Sequence, residues 1–214
     1  MVQVLAAKDI TLEQLETHFQ LECIEDDNFF WEWRIDLPEL NDWEVQLLEE
    51  IKAGYSNLIK QPPLLEKPIN LTVVSPLLFI GRFYQSPFNI RAEKSVEISA
   101  ISEDTELIVK GNIDTLVLKN QVWVMVIESK QAKLSVEAGL AQILAYMLAN
   151  PNSHQPSFGL ITNGGSFLFL KLIQTEHPQY ATSDLFGINN RQNNLSDVLK
   201  VLKKLIQISL VSDT

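Results

Sequence analysis

The run Trp123-Val124-Met125-Val126-Ile127-Glu128-Ser129-Lys130 constrains this chain more than any other stretch. It is short, apolar and rich in β-branched residues, which reads as a buried strand, yet it carries a carboxylate and a lysine near its end. Side chains alternate across a strand, so Glu128 and Lys130 project together and Ser129 points away. Residues 106–118 read as the preceding strand. Lys119-Asn120-Gln121 is a polar turn that pairs the two antiparallel. Asp114 then lies about as far before the turn as Glu128 lies after it, and the two carboxylates converge. A carboxylate inside a buried strand costs on the order of several kcal/mol unless it is paired or bound to a metal.

Two converging carboxylates repel each other, which raises at least one pKa unless a cation sits between them. A hard divalent ion with oxygen ligands suits them, and Mg²⁺ (or Mn²⁺) characteristically takes one or two carboxylates plus water and phosphate. Lys130 beside them can hold water or offset charge building on a phosphorus centre. Residues 135–149 read as the next helix, with Ser135 as its cap, and Gln142 and Tyr146, four apart, share one of its faces. Individually, Gln142 and Tyr146 would pass for helix-surface residues and Asp114 for a turn or salt-bridge residue.

The pattern Asp114, Glu128-Ser129-Lys130, then Gln142-Ile-Leu-Ala-Tyr146 resembles the PD-(D/E)xK nuclease superfamily. The Gln-x-x-x-Tyr element makes it most similar to the nuclease domain of type I restriction enzyme motor subunits, with RecB-like nucleases in the same branch. The likeness extends loosely over residues 64–172, about half the chain. It implies an α/β restriction endonuclease-like core of order αβββαββ, a mixed central sheet flanked by helices, acting as a Mg²⁺-dependent DNA endonuclease. Asp114, Glu128 and the Ser129 carbonyl would be metal ligands, Lys130 the catalytic lysine, and Gln142 and Tyr146 would support substrate or lysine. The family often adds an acidic residue on the first core helix. Glu66 is the candidate here, but Pro68 and Thr72-Val73-Val74 weaken that helix, and Glu66 is left outside the site.

Charge sharpens the picture. Residues 1–60 hold 14 Asp and Glu against 4 Lys and Arg, whereas residues 61–214 hold 13 of each, so the first segment carries the whole net charge of −10. That balance argues against a freestanding, processive nuclease. The alternative, motivated by a missing motor, is a catalytically silent or accessory subunit of a restriction or recombination system that works with DNA, a protein partner or a second copy of itself. No Gly-x-x-x-x-Gly-Lys-Ser/Thr motif occurs, so a motor would have to come from elsewhere. No Gly-x-Ser-x-Gly occurs either, which sets aside a serine hydrolase.

Pro62-Pro63 marks the expected boundary between an acidic helical segment, 1–60, and the core, 61–214. In the first segment Thr11 should cap one helix and Asp42 a second, and Phe29-Phe30-Trp31-Glu32-Trp33 should pack the segment onto the core. The acidic segment is expected to be a solubilising helical lid, the alternative being a phosphate mimic over a DNA groove. Near the end of the chain Asn163-Gly164-Gly165 signals a hairpin, and Leu195 to Ile206 an inward-facing helix whose polar side carries Lys200, Lys203 and Lys204. The single Cys23 excludes an intrachain disulfide, and His18, His154 and His177 show no ligand spacing. With no signal-peptide pattern and no long apolar run, the expected setting is cytoplasmic and away from membranes.

Overall fold

The computed structural model describes residues 2–102, 105–152, 155–191 and 194–211, so His154 lies outside the described residues. Its elements are β1 (Val2–Ala6), α1 (Leu12–Phe19), β2 (Glu22–Cys23), α2 (Asp42–Leu58), α3 (Glu66–Ile69), a π turn (Asn70–Val74) and α4 (Ser75–Ile80). Then follow β3 (Phe88–Ser102), β4 (Thr105–Lys119), β5 (Val122–Ser129), α5 (Leu140–Leu148), β6 (Ser157–Thr162), β7 (Ser166–Ile173), β8 (Gln179–Thr182), β9 (Phe186–Gly187) and α6 (Leu195–Val211). The helix, three strands, helix, two strands expected after residue 61 are present in that order, extended by β8, β9 and α6.

All the described strands join one mixed sheet of order β1-β4-β5-β6-β7-β8-β2, with β3 pairing β4 and β9 pairing β7. β4 organises it. Along one edge β4 pairs antiparallel with β3. Along the other its first half, Glu106–Lys110, runs parallel to β1, and its last residues, Thr115–Lys119, pair antiparallel with β5. Asn120 and Gln121 close the β4–β5 hairpin with φ of 48° and 72°. Both being positive fits a two-residue turn that follows the strand twist. α5 carries the chain from β5 to its parallel neighbour β6.

Helices cover both faces, as apolar strands of this kind require. On one face Leu48, Ile51 and Tyr55 of α2, Leu77 and Leu78 of α4 and Leu199, Leu202 and Leu205 of α6 pack on Met125, Ile127, Leu160 and Phe169. On the other, Leu15 of α1 and Ile143, Leu144 and Met147 of α5 pack on Val109, Val126, Ile161 and Leu170.

The acidic segment differs from its helical expectation, because it also supplies β1 and β2 to the sheet. Thr11 caps α1 in a reciprocal pair with Gln14. The cap of α2 is Asn41 and not Asp42: Asn41 has the extended backbone of a cap, accepts from the Glu44 N–H, and has its own N–H bound by the Glu44 carboxylate. Ser135 caps only a 3₁₀ turn, Val136–Gly139, before α5 begins at Leu140. The aromatic cluster does pack inward, with Phe30 stacked on Phe158 and Trp33 edge-on to Phe186.

The helix through residues 66–80 forms despite its composition. Pro68 sits in the first turn, where an N–H would lack an intrahelical acceptor anyway. Val73 and Val74 are buried, so packing outweighs propensity. The misfit is absorbed in the π turn, where the Ser75 N–H reaches back five residues to the Asn70 carbonyl and the Thr72 hydroxyl donates to the Pro68 carbonyl.

Candidate active site

Between Lys110, the last β4 residue paired with β1, and Thr115, the first paired with β5, four residues of β4 have no strand on that side among the described residues. Gly111, Asn112, Ile113 and Asp114 fill this fork, which lies inside the sheet. Tyr146 of α5 reaches over Gly111, and a Cβ there would stand 2.7 Å from its ring and 2.8 Å from its hydroxyl. Only a glycine leaves room for it.

The register that pairs Thr115 with Ile127 sets Asp114 across from Glu128. An Asp114 oxygen accepts the Ser129 N–H at 2.9 Å. Glu128 is 4% exposed and Lys130 8%. The Lys130 ammonium donates to Glu128 Oε1 at 3.0 Å and to Gln142 Oε1 at 2.5 Å. The Gln142 amide nitrogen donates to the same Glu128 oxygen at 2.7 Å and to the Tyr146 hydroxyl at 2.9 Å. The structure thus brings Asp114, Glu128, Ser129, Lys130, Gln142 and Tyr146 to one place. Gly139 makes the lysine's path, since a Cβ on it would meet Lys130 Cε at 2.7 Å.

Electrostatics follow from that burial. The Glu128 carboxyl is pushed up to about 8, chiefly by desolvation and then by the charge of Asp114, against the pull of Lys130; Glu66 adds to the rise. Burial also raises Asp114, opposed by the Ser129 N–H and Lys130, with Glu93 contributing repulsion. The Tyr146 phenol is pushed up to about 12, again mainly by burial, and stays protonated at neutral pH.

Several participants escaped the sequence reading. Glu66, set aside for its weak helix, stands near enough to act on Glu128. Glu93 faces Asp114 where the β3–β4 ladder skips a pair, and it holds φ of 52°, a left-handed conformation unusual for a glutamate. Asn70 accepts a hydrogen bond from the Ser129 hydroxyl at 2.7 Å. The two glycines were visible as residues, but nothing near them in sequence says which side chain passes over them.

Among the described residues, Glu128 Oε2 is buried and has no hydrogen-bond partner. An orphaned carboxylate oxygen opposite a second carboxylate is what a small hard cation would satisfy, and the donor set of two carboxylates and a main-chain carbonyl suits Mg²⁺. A richer cage is absent, for among the described residues no three His, Cys, Asp or Glu side chains gather into a metal-binding group. Among the described residues no helix is long and apolar enough to cross a membrane. No protein-family model and no curated protein matches the chain, which leaves this geometry to carry the functional reading.

Proposed function

We propose that this chain is a Mg²⁺- or Mn²⁺-dependent DNA endonuclease of the PD-(D/E)xK type, working in the cytoplasm and hydrolysing phosphodiester bonds at Asp114, Glu128 and Lys130. The observation that carries the reading is the pair of carboxylates in the interior of the sheet, where Glu128, buried and with one oxygen bound by Lys130 and Gln142, stands across from Asp114. Asp114 is what sets Glu128 apart from Glu32, which is likewise buried, bound through one oxygen to Lys171 and, among the described residues, without a partner on the other.

Asp114, Glu128 and the Ser129 carbonyl would hold the cation. When bound, it would draw charge from the phosphodiester and acidify water. The lysine has three ammonium hydrogens and uses two on Glu128 and Gln142, so one remains to meet a phosphate oxygen or position water. Gln142 fixes the ammonium from the side, and the protonated Tyr146 fixes Gln142, so neither needs to exchange a proton.

Calorimetric titration of Mg²⁺ or Mn²⁺ into the wild type and Glu128→Gln, followed by plasmid nicking, tests the proposal. Binding and nicking that disappear together in the variant support it; a wild type that neither binds the cation nor nicks overturns it. The second reading, an accessory subunit of a restriction or recombination system, draws on the hydrogen bonds from Lys130 and Gln142 to Glu128, which hold the site together with no cation. It requires a stable complex with a motor or specificity partner and no metal-dependent cleavage.

A further inference from the structure

Ser129 is wholly buried and sits between two site residues, yet its side chain leaves by the opposite face of the sheet from Glu128 and Lys130. Three bonds hold this residue and its neighbour. The Ser129 N–H is bound to Asp114, the Lys130 N–H donates to the Thr162 carbonyl on β6 at 2.8 Å, and the Ser129 hydroxyl donates to Asn70 at 2.7 Å. The third bond ties strand to helix, across 59 positions of sequence. It reaches Asn70 where the helix departs from α-geometry, and π turns of this kind recur at functional sites. Glu66, one turn earlier on the same helix, adds its charge to those of Asp114 and Lys130 at Glu128.

We propose that Asn70 is a positioning residue for the site. By holding the Ser129 hydroxyl it fixes the two peptide planes on either side of Ser129, and through them the Ser129 carbonyl and the directions in which Glu128 and Lys130 leave the strand. The π turn at Asn70–Val74 is the device that aims the Asn70 amide at β5. The consequence for cation binding rests on the nuclease reading; the mechanical role does not.

The experiment pairs amide hydrogen exchange with Mn²⁺ titration on Asn70→Ala, Asn70→Asp and Ser129→Ala. In Asn70→Ala, exchange at Ser129 and Lys130 should quicken about tenfold while Met125 and Val126 in the same strand keep their protection. The Mn²⁺ dissociation constant should rise about tenfold, the size expected when a group supporting a ligand is lost. Asn70→Asp keeps an oxygen acceptor and should restore protection of both amides. Ser129→Ala removes the same bond from the other end; combined with Asn70→Ala it should add nothing further, and it stands in if Asn70→Ala does not fold. Unchanged exchange at Ser129 and Lys130 in a folded variant overturns the positioning role. Faster exchange with unaltered Mn²⁺ affinity overturns its link to the cation. Faster exchange in a protein whose wild type binds no Mn²⁺ upholds the positioning role and defeats the nuclease reading instead.

Discussion

A glutamate whose carboxyl ionises near 8 in the folded chain and near 4.5 in the unfolded one makes stability depend on pH in a definite direction. The native state holds the proton more tightly, so the contribution from Glu128 is full below about 4.5 and is lost as pH rises through 8. Over that window the metal-free protein should lose on the order of 4 kcal/mol from this group. Urea unfolding at pH 5 and pH 8.5 should show the decline in the wild type and a much flatter profile in Glu128→Gln; equal slopes would mean Glu128 titrates normally. At Gly111 the expectation concerns space. Gly111→Ala must displace the Tyr146 ring or Ala7, and should destabilise the fold by about 1–3 kcal/mol in chemical denaturation. A variant as stable as wild type would show that the Tyr146 ring moves aside at no cost. Asp114, Glu128 and Lys130 were legible because strand period and the turn bring them together, and Gln142 and Tyr146 because the Gln-x-x-x-Tyr spacing resembles a nuclease element. Asn70, Gly111 and Gly139 were not, because their roles depend on partners 59, 35 and 9 positions away whose approach no local pattern encodes.

At the scale of elements, the strongly patterned segments declared themselves and the weakly patterned ones did not. β5 and the β6–β7 hairpin follow from apolar runs bounded by turn residues. β1 is harder to see, since Val2 and Val4 are each 59% exposed and its parallel partner lies in a strand beginning at Thr105. The helix through Pro68 forms because burial of Val73 and Val74 outweighs intrinsic preference, which sequence alone does not weigh. The β4–β5 turn permits a prediction of its own. Gln121 holds φ of 72° where glycine is favoured, so Gln121→Gly should raise stability by about 1 kcal/mol without altering the site. Thermal unfolding checks this, and a lowered midpoint would show that the glutamine makes a compensating contact. On α6, Lys203 binds Glu44 and Lys204 lies over the Trp31 ring, so these lysines fasten the acidic segment to the core instead of simply facing solvent.

For the whole molecule, the acidic first segment is better described as part of the sheet and core than as a lid. It contributes β1 and β2 to the sheet, and α2 lends Leu48, Ile51 and Tyr55 to the core. Deleting residues 1–60 should therefore abolish cooperative unfolding; a truncation with a sharp thermal transition would reinstate the lid. Saturating Mg²⁺ should raise the wild-type midpoint, by about 2.7 kcal/mol of added stability at a hundredfold excess over the dissociation constant, and leave Glu128→Gln unmoved. A shift common to both would place the cation elsewhere. The pairing of β1 with β4 also bears on how the chain is made. Val2 meets Glu106, so on the ribosome the first strand emerges 104 residues ahead of its partner. A nascent chain cannot close that ladder until β4 has cleared the exit tunnel. At synthesis rates of about 5–20 residues per second, the Val2-Gln-Val-Leu segment waits several seconds unpaired. Slowing translation before β4 has left the tunnel should lengthen its exposure to chaperones and proteases, whereas slowing it later should not.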